Sequence, residues 1–195
     1  MITKNYKHGY SIRKKKPISL VKEKPGMRNI IAGLGWDEAT INGVPVDCDV
    51  SVFLLGANGK LVSDEHFVFY NNLSSPDGSV VHTGDNRDGD GEGDDESIKI
   101  DLSKIESNVE FLYFAITIHE SESRKHHFGN VENSFINIRN AADNSILCQY
   151  KLKESFDGQD SLIIASITRN NGEWNVEALG QAFSGGLNTL IELYN

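Results

Sequence analysis

The stretch Gly84-Asp85-Asn86-Arg87-Asp88-Gly89-Asp90-Gly91-Glu92-Gly93-Asp94-Asp95-Glu96 concentrates the chemistry of this chain. From Asp85 to Glu96 it carries seven carboxylates and one arginine, with glycines between acids at 89, 91 and 93. Two carboxylates ~5 Å apart repel by roughly 3 kcal/mol at an effective dielectric of ~20, so such a run resists compaction without cations. Glycine supplies the backbone angles that let carbonyl and carboxylate oxygens converge on one point. Oxygen donors on a flexible loop suit Ca²⁺, which takes ~6–8 of them at ~2.3–2.6 Å, whereas Mg²⁺ demands a tighter octahedron. No His/Cys cluster accompanies the loop, which argues against zinc. The pattern is not an EF-hand. With Gly93 at the sixth loop position, Lys99 falls where the bidentate Glu belongs.

Further oxygen donors flank the loop. Asp37 follows Trp36 at a strand end, and Asp47 and Asp49 sit two apart around Cys48, on one face if that segment is a strand. Asn71-Asn72 closes the next apolar stretch, and Asp77-Gly78 makes a turn after Pro76. Each alone reads as an ordinary turn or cap residue. Together they are candidates to complete the shell of one or two ions. Asp94, Asp95 and Glu96 run directly into a strand, which makes them the best anchored part of the loop.

Short stretches rich in Val, Ile, Phe and Tyr must position these groups. Asn29–Gly35, Val50–Leu55, Phe67–Tyr70, Ile98–Leu102, Val109–Ile118, Ser134–Arg139, Ile146–Leu152, Ser161–Thr168 and Glu173–Ala178 read as strands. Ile98, Ile100 and Leu102 alternate with polar residues, as in a half-buried strand. Val109–Ile118 is apolar on both faces and reads as a central strand. Asn58-Gly59 and Asn171-Gly172 are hairpin turn signals. Leu187, Leu190, Ile191 and Tyr194 form a helical stripe that Ser184 and Gly185-Gly186 introduce. Ser121–His127 reads as a short helical turn. The fold class is therefore all-β dominated, a β-sandwich with a C-terminal helix and short helical turns.

The chain has 195 residues and a net charge of −9, unevenly spread. Residues 1–28 carry nine Lys/Arg and one acid, for +8; the rest carries −17. An acidic body repels nucleic acid and attracts cations. Residues 1–16 read as a basic tail and 17–195 as one domain. The tail is a solvated segment, with weak contact to an anionic membrane surface as its functional alternative. No apolar run approaches the ~20 residues of a membrane helix, and residues 1–16 lack the apolar core of a secretory signal. Two cysteines, Cys48 and Cys148, are too few for a disulfide framework, so a cytoplasmic setting is expected.

Other constellations carry less. His126-His127 are adjacent and would point apart on a strand. His119 beside Glu120 and Glu122 reads as a solvated turn. Ser79, His82 and Asp85 lack the motif of a nucleophile elbow. Trp36 and Trp174 read as core residues, and Gly185-Gly186 as a turn rather than an anion site.

Several motifs in fixed order resemble one family. They are Gly33-Leu34-Gly35-Trp36-Asp37, Asp47-Cys48-Asp49 through Leu55, Phe67-Val68-Phe69-Tyr70-Asn71-Asn72, and Ser75-Pro76-Asp77-Gly78 through the acidic loop. Phe128-Gly129-Asn130-Val131, Asn171-Gly172-Glu173-Trp174 and Gly180-Gln181-Ala182-Phe183 through Leu187 follow. From about Pro17 onward the chain resembles the bacterial tellurium-resistance TerD family of calcium-binding stress proteins. The resemblance implies two adjacent Ca²⁺ ions. It carries ligand roles onto Asp37, Asp47, Asp49, Asn71, Asp77, Asp85, Asn86, Asp90, Asp94, Asp95 and Glu96, but not onto Asp88. It further implies a non-enzymatic stress-response protein with protein partners in a stress-response complex, membrane-associated through them if at all. The alternatives are a metal-dependent hydrolase of phosphoryl or glycosyl bonds and a calcium-dependent small-ligand binding module.

Overall fold

The computed structural model describes residues 10–11, 18–19, 27–84, 94–131, 135–151 and 156–195. Its strands are β1 (Tyr10–Ser11), β2 (Ile18–Ser19), β3 (Asn29–Gly35), β4 (Thr40–Ile41), β5 (Val44–Pro45), β6 (Cys48–Leu55) and β7 (Phe67–Val68). They continue with β8 (Val80–His82), β9 (Glu96–Asp101), β10 (Phe111–Ile118), β11 (Phe135–Asn140), β12 (Ile146–Lys151), β13 (Ser161–Asn170) and β14 (Glu173–Phe183). Helix α1 is Ser121–Arg124 and helix α2 is Gly186–Tyr194.

Two antiparallel sheets stack face to face. One runs β1-β14-β13-β10-β6-β7, with β2 also on β14; the other runs β12-β11-β3-β9-β8. As the sequence predicts, β10 is central, between β13 and β6. β13 and β14 meet at Asn171-Gly172, where both residues have positive φ (51° and 79°), the turn whose twist matches the strands. Asn42-Gly43 does the same between β4 and β5, a small hairpin that the sequence reading passes over.

Alternation decides what each face buries. From β6, Cys48, Val50, Val52 and Leu54 enter the core between the sheets, where Ile98 and Ile100 of β9 and Leu112, Phe114 and Ile116 of β10 meet them. Trp36 and Trp174 lie in this core, as expected. The opposite face of β6 turns Phe53 and Leu55 toward α2, whose Leu190 and Tyr194 complete a second apolar cluster with Ala115, Ile163 and Phe183. The Tyr194 and Phe53 rings lie 4.9 Å apart. The expected helical stripe is thus the face that α2 lays on the sheet.

The expected strand Phe67–Tyr70 ends after Val68. Phe69 and Asn72 exchange backbone hydrogen bonds, and the Asn72 amide donates to the Phe67 carbonyl at 2.7 Å, which curls the chain into a turn. Two residues of the basic stretch, Tyr10-Ser11, pair with Ala182 and Gln181 at the sheet edge. The other residues of 1–16 lie outside the described ones. No helix among the described residues is long and apolar enough to cross a membrane.

Candidate metal centre

Cys48 is the hub of the site. It begins β6, points into the core and is buried. Asp47 and Asp49 flank it at 7% and 4% exposure, and Asp49 stands opposite Thr117 of β10. The backbone carbonyl of Asp47 accepts from His119 N at 2.9 Å, so the chain after β10 fixes the entry to β6.

Glu96 arrives from the other sheet. It opens β9 on the face shared by Ile98 and Ile100, so the pleat drives its carboxylate inward, to 1% exposure. There Glu96 Oε2 accepts from Val50 N at 2.7 Å, a bond from one sheet to the other. His82 Nε2 of the neighbouring β8 lies 3.6 Å from the same oxygen. Asp95 ties β9 to the end of β3: its N–H donates to Leu34 O at 2.8 Å, and its Oδ2 accepts from Trp36 N at 3.0 Å.

These groups sense one another. Burial pushes the Cys48 thiol well above its ordinary range, and Asp49, Asp47, Glu96 and Asp95 add to the rise, in that order. Four carboxylates are thus close enough to raise the thiol, Asp47 and Asp49 from the other face of the strand and Glu96 from the opposite sheet. Two cationic groups among the described residues lie beside this site. His119 Nδ1 stands 3.8 Å from Asp49 Oδ2, while Arg124 is held by Glu120 at 2.8 Å. Asp94 pairs with Arg139, and its carboxylate lies over Gly33 where a Cβ would collide with it.

Asn71 reaches the same region. It lines a cavity of about 370 Å³ with Asp47, Asp49, Tyr70, His119 and Arg124. Asp37 is exposed just past Trp36. Asp77 is engaged elsewhere, in the turn before β8. Its Oδ1 accepts from Ser75 Oγ (2.7 Å) and Ser79 N (2.8 Å), and its Oδ2 from Glu106 N (3.0 Å). Burial works to raise this carboxyl, yet those hydrogen bonds together outweigh it and hold it below the ordinary value. Asp85, Asn86 and Asp90 lie outside the described residues. Among the described residues, no three His, Cys, Asp or Glu side chains are arranged to hold a metal ion by themselves.

Sequence reasoning missed three participants. His119, read as a solvated turn, packs against Asp49 and Tyr70. His82, considered with Ser79 for a triad, faces Glu96 instead, and its Nδ1 accepts from Gly84 N at 3.2 Å. Asp160 accepts from Ser121 Oγ, Ser161 Oγ, Gly185 N and Gly186 N, at 2.8 to 3.3 Å. It occupies the start of α2 with an internal anion. The glycine pair thus forms a turn (φ 109° and 64°) that closes on a carboxylate of the same chain. His126 and His127 do not converge: His126 is buried, while His127 Nδ1 lies 3.3 Å from Asp157.

The model of the TerD domain family matches residues 9–194. "Tellurium resistance protein TerD" of Serratia marcescens is 43% identical over 184 residues, covering 94% of this chain and 96% of the relative. "General stress protein 16U" of Bacillus subtilis (strain 168) is 44% identical over 178 residues, with 91% and 92% coverage. The crystal structure of a homologue of telluride resistance protein (TerD) from Streptomyces coelicolor A3(2) superposes with a TM-score of 0.71. It is 20% identical, covers 87% of this chain and 99% of the other, and supports the sandwich fold. By family model and by identity over nearly its whole length, this chain belongs to the TerD domain family.

Proposed function

We propose that this chain is a non-enzymatic, calcium-binding protein of a bacterial stress response, holding two adjacent Ca²⁺ ions. The observation that carries the reading is the gathering of buried Asp47, Asp49 and Glu96 at the start of β6, where Glu96 reaches Val50 N from the other sheet and Asp95 adjoins it. Buried like charges are costly unless a cation accompanies them, and this donor set consists of hard oxygens. Oxygen donors of this kind suit Ca²⁺. Asp37, Asn71, Asp94 and, from the acidic loop, Asp85, Asn86 and Asp90 would complete the shells. Asp77 is the weakest member of the set, because both its oxygens already serve its turn.

Calcium bound there would tie the start of β6 to the start of β9, and so one sheet to the other, and would give the loop a defined surface for protein partners. The cysteine usage supports a cytoplasmic setting, and the relatives named for tellurium resistance and general stress support the stress-response role. Calorimetric titration of metal-free protein tests the reading. Saturable Ca²⁺ binding, with Mg²⁺ much weaker, is expected. The absence of saturable binding would overturn it.

A further inference from the structure

The two sheets treat their outer faces differently. Helix α2 covers the outer face of β6, β10 and β13. The other sheet shows apolar side chains on its outer face, with Val81 of β8 38% and Ile146 of β12 57% exposed. Strand pairing sets a row across that face: Val81 stands opposite Lys99, Lys99 opposite Ile31, Ile31 opposite Arg139, and Arg139 opposite Ile146. The chain neighbours Val80, Ile98, Ile30 and Ile138 lie in the core, so the pleat turns this row outward. Apolar and basic side chains alternate along it. Opposed residues on neighbouring strands sit ~4.5–5.5 Å apart at Cβ, so Ile31 and Val81 flank the stem of Lys99.

Over this row opens a cavity of about 550 Å³, the size of a small-molecule site. Ile31, Val81 and Lys99 line it, with the Ala141-Ala142 turn to one side and Lys104 past the end of β9. Its single carboxylate, Asp101, is already engaged. Asp101 Oδ1 accepts from Ser103 Oγ at 2.6 Å and Ser103 N at 3.1 Å, and Lys104 Nζ lies 3.4 Å from Oδ2. The Ser103 hydroxyl, and after it the Ser103 N–H and Lys104, hold this carboxyl below its ordinary value. Two ammonium groups against one aspartate leave the cavity positive, on a chain whose net charge is −9.

That balance selects a ligand. Nucleic acid and anionic membranes carry many charges and meet the acidic body around the cavity. A small monoanion meets the local charge. Its head accepts from ammonium groups, which only donate, and a carbon chain behind it takes Ile31 and Val81 out of water.

We propose that this cavity binds a small organic monoanion: a carboxylate head on a short carbon chain, with the head at Lys99 and Lys104 and the chain over Ile31 and Val81. The site is separate from the proposed metal centre. Glu96 opens β9 facing inward, whereas Lys99, ~10 Å further along the strand, faces outward.

Titration of the full chain with hexanoate in saturating CaCl₂, followed by the NMR shifts of its backbone amides, tests the proposal. Saturable shifts confined to β3, β8, β9 and the Ala141-Ala142 turn are expected, with hexan-1-ol binding more weakly and hexylamine not at all. Lys99→Gln keeps most of the stem and should weaken hexanoate about fivefold, as an exposed ion pair allows, while leaving hexan-1-ol unchanged. Val81→Asp, at an exposed position, should abolish binding of both. Hexan-1-ol or hexylamine binding as tightly as hexanoate would show an apolar patch without preference for an anion and overturn the proposal. Unchanged hexanoate affinity in Lys99→Gln, or shifts that scatter over the surface without saturating, would overturn it too.

Discussion

Asp160 and the group around Cys48 are both buried acid chemistry at the same end of the sandwich, yet they are built oppositely. Asp160 is surrounded by four neutral donors, two hydroxyls and two backbone N–H groups at the start of α2. Its charge is answered inside the chain, with help from the helix dipole. Asp77 follows the same plan with three donors. Asp47, Asp49, Asp95 and Glu96 instead lie near one another at the start of β6, all four adding to the rise of the Cys48 thiol. A carboxylate ringed by donors closes a structure. Carboxylates gathered at one place add up their negative charge even where each keeps a partner of its own, as Glu96 does with Val50 N and Asp95 with Trp36 N. Four measurements would break or sharpen that contrast.

The largest expected effect is calcium itself. A ligand that binds only the native state adds roughly 4 kcal/mol at a thousandfold excess over its Kd. Scanning calorimetry of metal-free protein should show a marked rise in melting temperature with Ca²⁺ and a smaller one with Mg²⁺. An unchanged melting temperature would mean that the crowded carboxylates need no cation, and the contrast would fail.

Next is Asp160→Ala, which strands two glycine N–H groups and two serine hydroxyls. Buried donors left unmade cost ~1–3 kcal/mol each and are not additive, so a total loss of about 3 kcal/mol is expected by urea denaturation. Calcium affinity should stay within a few-fold. A large fall in calcium affinity would show that the two carboxylate regions are one.

Asp47→Asn should act with both signs. Removing one of the mutually repelling charges should stabilise the metal-free chain by about 1 kcal/mol and weaken calcium by about tenfold. Asp77→Asn, by comparison, should destabilise the chain and leave calcium almost untouched. Matching signs for the two variants in the metal-free state would erase the distinction between crowded and satisfied acids.

The smallest effect concerns a third kind of buried group. Burial, and then the nearby Arg124 and His127, hold His126 below its ordinary value against the Ile41 carbonyl that favours its charged form. Folded His126 therefore stays neutral where the unfolded chain already takes a proton. Its share of stability is intact above about pH 6.5 and is lost as the pH falls through that value toward the lowered folded one. His126→Phe should flatten the stability–pH curve between about pH 7.5 and 5.5. A curve of unchanged slope would locate the acid sensitivity in other groups.

Much of this was legible in the chain. Hydrophobic alternation located β9, and its pleat explains why Glu96, two positions before Ile98, turns inward. Asn171-Gly172 located the long hairpin, because a local backbone requirement leaves a local mark. Asp47 and Asp49 were legible as a pair for the same reason. His119 and Asp160 were not, because their roles rest on partners far along the chain: Asp49 for one, and Gly185 and Gly186 for the other. Phe67–Tyr70 looked like a longer strand because its residues are strand formers, but the Asn72 amide competes for the Phe67 carbonyl and wins. Short edge strands such as Val80–His82 carry too little periodicity to announce themselves.

The order of pairing has a kinetic consequence. β13 and β14 are long neighbours joined by a two-residue turn, so they can zip early, with little loop entropy lost. The carboxylates of the proposed metal site belong to pairs of another kind: Asp49 meets Thr117 across the first sheet, and Glu96 meets Leu34 in the second. Such distant closures come late in folding. Calcium should therefore act on the exit from the native state more than on the way in, slowing unfolding while leaving the folding rate nearly unchanged.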